Sequence, residues 1–152
     1  MRRRHFLQAA AITNAGMSAA PAAASASADA LDALIRDYER RTNSHRFDEV
    51  AEVLAANAEF QFGGKAHRGL TEVRAYFEGT WAKLPDERYA IENVRWIAIG
   101  ADTAACVYDY RWQGTYQGKP QQGGGYGTNV LVHIDGRWKI VHEHLSAVPN
   151  KP

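Results

Sequence analysis

After Pro85 the chain carries no further helical signal, and its remaining length divides into four long predicted strands separated by short turns. Tyr89 to Ile99 forms one strand, closed by Gly100–Ala101–Asp102, and Thr103 to Thr115 forms the next, turning at Gln117–Gly118–Lys119–Pro120. Gln121 to Ile134 is the third, and Arg137 to Val148 is the last, reached through Asp135–Gly136, a dipeptide suited to a tight hairpin. Connections this short cannot hold a crossover helix, so the strands must form an antiparallel meander. Gly123–Gly124–Gly125 near the start of the third strand predicts a bulge or a sharp bend. It is not a phosphate loop, because it lacks the following Lys-Ser/Thr and the strand–loop–helix setting.

The stretch before the meander is mostly helical. Leu31, Leu34, Ile35 and Tyr38 predict an amphipathic helix over Asp29 to Thr42, broken at Asn43–Ser44. Phe47, Val50, Ala51 and Leu54 predict a short second helix ending near Ala56–Asn57. Glu59–Phe60–Gln61–Phe62 alternates as a half-buried strand turned by Gly63–Gly64. Leu70, Val73, Tyr76, Phe77 and Trp81 give a third helix, with Thr71 as its expected N-cap. Helices first and a meander afterwards make an α+β domain with helices on one face of a curved sheet.

The first residues read differently. Met1–Arg2–Arg3–Arg4–His5–Phe6–Leu7–Gln8 resembles a twin-arginine export signal, followed by an Ala-rich stretch ending in Ala26–Ser27–Ala28. The expectation is a signal peptide over 1–28, a mature domain over 29–152, and a periplasmic or secreted location. Removing three arginines leaves 15 basic and 17 acidic residues, so no basic footprint for nucleic acid remains, and no membrane contact is expected after cleavage. Cys106, the one cysteine, cannot form an internal disulfide.

The run Gly127–Thr128–Asn129–Val130–Leu131–Val132–His133–Ile134–Asp135–Gly136–Arg137–Trp138–Lys139–Ile140–Val141–His142–Glu143–His144–Leu145–Ser146 resembles the ending of SnoaL-like domains in the nuclear transport factor 2-like superfamily. It is similar also to the association domain of calcium/calmodulin-dependent kinase II and, more distantly, to ketosteroid isomerase. The resemblance implies a cone-shaped, cystatin-like α+β roll around one pocket, without naming a function, because fold does not imply function.

Alternation sorts strand residues into two faces but does not say which is inward. The family comparison sets Asp109, Asn129 and Leu145 where the kinase association domain has pocket arginines. It sets Asn129 and Tyr38 on or near the oxyanion-hole residues of the isomerase. The resemblance therefore implies that Val107, Asp109, Arg111, Asn129, Leu131, Val141, Glu143 and Leu145 line the concave face, with Tyr38 above them. Tyr108, Tyr110, Trp112, Trp138, Ile140, His142 and His144 then fall on the other side. Phe62 takes the place of the isomerase's general base, which argues against ketosteroid isomerisation.

Asp109 and Glu143 are the candidate catalytic residues, since two carboxyl groups near one cavity push one pKa up. The alternative pairs Asp109 with Arg111 or Arg95 and leaves Glu143 solvated near the mouth. His67, in the mouth loop, is a candidate ligand contact or an exposed loop residue. His142 and His144 could share a metal by spacing, but structural or interface roles fit them better. No cofactor and no metal are expected.

Two functions follow. One is a pocket protein that binds, and by acid/base chemistry modifies, a small apolar molecule bearing polar groups. As an enzyme it would be a cofactor-independent isomerase, cyclase, dehydratase or hydrolase. The alternative is a homodimer or higher homo-oligomer serving as an interaction module, held together by the Tyr108, Tyr110, Trp112 and Trp138 face.

Overall fold

A computed structural model describes residues 27–148. The expected leader falls outside the described residues apart from Ser27 and Ala28. The elements are α1 (Ala28–Thr42), α2 (Phe47–Ala51), β1 (Leu54–Phe62), β2 (Lys65–Arg68), α3 (Gly69–Lys83), β3 (Arg88–Ile99), β4 (Thr103–Tyr116), β5 (Lys119–Ile134) and β6 (Arg137–Ala147). All six strands join one curved sheet in the order β2-β1-β6-β5-β4-β3. Only the β1–β6 pair is parallel.

Three local expectations are corrected. The second helix stops at Ala51, and Leu54 already begins β1, where Leu54, Ala55, Ala58, Phe60 and Phe62 are buried. Lys65–Arg68 is a short strand, not a loop. Helix α3 begins at Gly69, with Arg68 rather than Thr71 at the cap; the Glu72 carboxylate accepts the Arg68 N–H at 2.8 Å.

Helix α1 lies along the exposed edge of β3 and satisfies backbone groups that an edge strand leaves open. Asn43 donates to the Tyr89 carbonyl at 2.7 Å and accepts the Tyr89 N–H at 2.8 Å. Arg36 donates to the Ile91 carbonyl at 2.7 Å, and Glu39 accepts the Ile91 N–H at 2.8 Å. These bonds fix the helix against the sheet and so aim Tyr38, buried on its inner face, into the domain.

The glycines of β5 make neither a bulge nor a break, since β4 and β5 pair in continuous register from Thr103↔Val132 to Tyr116↔Lys119. Aromatic rings of β4 lie across Gly123 and Gly127, and neighbouring backbone crowds Gly124 and Gly125. A Cβ on Gly127 would sit 2.2 Å from the Tyr108 ring, and one on Gly123 would sit 2.6 Å from the Trp112 ring. Gly127→Ala should therefore cost about 1–3 kcal/mol by overpacking. Gly79→Ala, in α3 with nothing within 4 Å of its new Cβ, should be neutral or stabilising by about 0.5–1 kcal/mol. Denaturant melts of the two variants side by side measure this, and equal stabilities would refute the steric reading.

Candidate functional site

A cavity of about 520 Å³ opens between α1, α3 and the concave face of the sheet. Tyr38 and Thr42 come from α1, Phe62 from β1, Tyr76 and Trp81 from α3, Tyr89 from β3, and Tyr110 and Trp112 from β4. Residues 143–147 of β6 complete the wall, and Glu87 enters from the loop after α3. The size suits a small organic ligand, and the aromatic lining is what such sites usually show.

Glu143 lies at the floor and is 1% exposed. Tyr38 Oη donates to its Oε2 at 2.7 Å, and Tyr108 Oη donates to its Oε1 at 2.5 Å. Asn129, also fully buried, is assigned the amide orientation that satisfies both ends, in which its nitrogen donates to the same Oε1 at 3.2 Å and to the Thr128 carbonyl at 3.1 Å. Burial disfavours the carboxylate, while the two phenol hydrogen bonds favour it. Burial wins, and the pKa rises from 4.5 to about 7. Glu143 therefore changes charge near neutrality. The phenols of Tyr38, Tyr89 and Tyr108 are raised well above their ordinary value, first by burial and then by the Glu143 charge, so they remain protonated.

Two further polar atoms lack partners. Tyr89 Oη and Thr42 Oγ1 are buried, belong to cavity-lining residues, and have no hydrogen-bond partner within 3.5 Å among the described residues. A buried hydroxyl without a partner costs about 1–3 kcal/mol, so both are places where a ligand atom would be welcomed. Glu87, also largely buried, has its carboxyl pKa raised by burial. Among the described residues, neither the Glu87 nor the Glu143 carboxylate has a Lys, Arg or His nitrogen within 4.0 Å, although His45 and Arg88 contact the Glu87 backbone carbonyl at 3.2 and 3.1 Å.

The expected site residues divide. Tyr38, Glu143 and Leu145 line the cavity. Asn129 supports Glu143 from behind, and Leu131 is buried in the core beside Ile140. Val107, Asp109 and Arg111 lie on the opposite face from the one assigned to them. Asn129 is paired with Cys106, so the inner face of β4 carries Cys106, Tyr108, Tyr110 and Trp112. Asp109 instead accepts a hydrogen bond from Asn93 at 2.7 Å, and Arg111 pairs with Glu92 at 3.0 Å. Both border a shallow groove on the outer side.

In β6 the register slips between Val130↔His142 and Leu131↔Ile140, which makes Val141 a bulged residue instead of a pocket one. Trp138 and Ile140 precede the bulge and pack on the core, contrary to the expected outer placement. Past the bulge Glu143 turns inward and His142 stays half-buried off the cavity, while His144, expected on the outer side, is exposed and borders the cavity wall beside Glu143. His67 sits on β2 opposite Phe60, its ring 4.7 Å from Tyr76, and does not line the cavity. Tyr110 and Trp112 therefore line the pocket, and Tyr108 stands behind it as a donor to Glu143.

The Cys106 thiol is buried and pushed up to about 12, which makes it inert as a nucleophile. Among the described residues no three or more His, Cys, Asp or Glu side chains gather as a metal site, and no helix is long and apolar enough to cross a membrane.

A family profile described as a SnoaL-like domain matches residues 31–151. No curated protein sequence matches the chain. Solved structures with a similar fold are numerous. One is a candidate calcium/calmodulin dependent protein kinase II association domain from Xanthomonas campestris, 21% identical, covering 80% of this chain and 87% of that one, TM-score 0.69. Another is a nuclear transport factor 2-like superfamily protein from Salmonella enterica serovar Typhimurium, 15% identical, covering 80% and 91%, TM-score 0.72. A third is a candidate scytalone dehydratase from Novosphingobium aromaticivorans, 17% identical, covering 80% and 83%, TM-score 0.69. At these identities the likeness is one of fold.

Proposed function

The chain belongs to the SnoaL-like domain family, and from that premise we propose that it is a small-molecule pocket protein in which Glu143 exchanges a proton with a largely apolar ligand. One observation carries the reading: a fully buried carboxyl group, held by two phenol hydrogen bonds on the floor of an aromatic cavity, where burial pushes its pKa up to about 7. A group of that pKa is present in both forms near neutrality, which general acid–base work requires. Phe62 lines the wall at the position where the resemblance sets the base of ketosteroid isomerase, and it offers no proton acceptor, whereas Glu143 does. The unpartnered Tyr89 hydroxyl would orient a polar ligand atom. Elimination, dehydration and isomerisation all need a proton moved in this way.

The test uses Trp81 and Trp112 as reporters, because both line the cavity. Indole, 2-naphthol and 1-tetralone are titrated against tryptophan fluorescence. For any that binds, calorimetry near pH 7 in two buffers of different ionisation enthalpy counts protons exchanged. The expected result is a fraction of a proton taken up or released by the native chain and none by Glu143→Gln. Failure of all three to bind, or binding silent in protons, would contradict the reading.

A further inference from the structure

The charge pattern of the cavity goes further than its acid/base group. Ionised Glu143 is well provided with hydrogen bonds, from Tyr38, Tyr108 and Asn129, yet among the described residues no cationic side chain pairs with it. The titratable groups that face it are the phenols of Tyr38 from α1, Tyr89 from β3, and Tyr108 and Tyr110 from β4, with Tyr76 and the Cys106 thiol farther out. All of these are neutral. Among the described residues the cavity lining contains no lysine or arginine; it contains one histidine, the exposed His144, and a second buried carboxyl, Glu87. Around both stand aromatic walls, with Tyr89 and Tyr110 stacked at 6.2 Å and Trp81 and Trp112 nearby.

Hydrogen-bond donors prepared for an anion, with no counter-cation paired to it among the described residues, leave a place for a positive charge brought by the ligand. Aromatic faces attract such a charge, most strongly where water is excluded. An anionic ligand would meet two carboxyl groups and, among the described residues, no lysine or arginine. We propose that the cavity takes a small organic cation, an amine or quaternary ammonium compound carrying an apolar or aromatic group. Its charged end would lie against the aromatic walls, within reach of Glu143 and Glu87. This inference rests on the small-molecule reading above and names the ligand class for the same site.

The test compares benzyltrimethylammonium with neopentylbenzene, which has the same shape and no charge, by tryptophan fluorescence at about pH 8. The cation should bind about tenfold more tightly or better, and its affinity should fall about tenfold by about pH 5 as Glu143 takes up a proton. In Glu143→Gln and, separately, in Glu87→Gln, the cation-to-hydrocarbon affinity ratio should drop several-fold. Glu87→Gln provides this readout even if the floor does not tolerate Glu143→Gln. Equal or tighter binding of the hydrocarbon would overturn the cation inference and leave the pocket standing. So would a ratio unmoved in both variants. Failure of both compounds to bind would overturn the pocket reading as well.

Discussion

Glu143→Gln should flatten the pH dependence of stability. In the folded chain the carboxyl pKa is about 7, against 4.5 as its ordinary value. Between those values the folded state holds a proton that the unfolded state has lost, so stability must fall as pH rises through this window. The sign is opposite to that of an ion-paired carboxylate, whose stabilisation grows with pH. The stabilisation is full below about pH 4.5 and gone above about pH 7. Between about pH 5 and about pH 8 the native chain should lose about 2–3 kcal/mol that the glutamine variant keeps. Glu87, shifted the same way by burial, remains in both proteins, so their difference isolates Glu143. Urea melts at the two pH values measure it, and parallel pH dependences in the two proteins would refute the buried, titrating carboxyl.

Tyr108→Phe should have the next largest effect, and the pH at which it is measured decides its size. The phenol donates to Glu143 Oε1 at 2.5 Å, a bond that matters most when the acceptor is charged. Its loss should cost about 1.5–3 kcal/mol at about pH 8, where Glu143 is ionised. At about pH 5 the neutral acid needs less help, and the cost should be nearer about 1 kcal/mol. The same difference raises the Glu143 pKa by about 1 unit, since one unit corresponds to ~1.36 kcal/mol. An identical loss at both pH values would mean that Tyr108 is a packing residue and not a donor to the carboxylate. Removing the Tyr38 hydroxyl tests the other oxygen in the same way, at its longer 2.7 Å contact.

Much of the fold was legible because the turns declare themselves. Asp135–Gly136 and Gln117–Gly118 both take positive φ, and the two hairpins close around them. The β1 boundary was not legible, because Ala55, Ala56 and Ala58 carry too little hydrophobic contrast to tell helix from strand. Glu143, Tyr38, Asn129 and Leu145 were found through family resemblance. Asp109 was misplaced by an error that the sequence itself could have corrected. Counting outward from a two-residue turn at Gln117–Gly118 sets Asn129 opposite Cys106 and so puts Tyr108 and Tyr110, not Asp109, on its face. Val141 was out of reach, because a bulge inside an apolar run leaves no turn residue to mark it. Glu87 was likewise silent, since a lone loop carboxyl shows its burial only once α3 and β3 close around it.

The most direct measurement is an infrared titration of the native chain from about pH 4 to about pH 9, with Glu143→Gln subtracted. A protonated-carboxyl band that disappears with a midpoint near 7 is the expected result. A midpoint in the ordinary carboxylate range, or no band lost in the variant, would contradict the proton-holding site at the floor of the cavity.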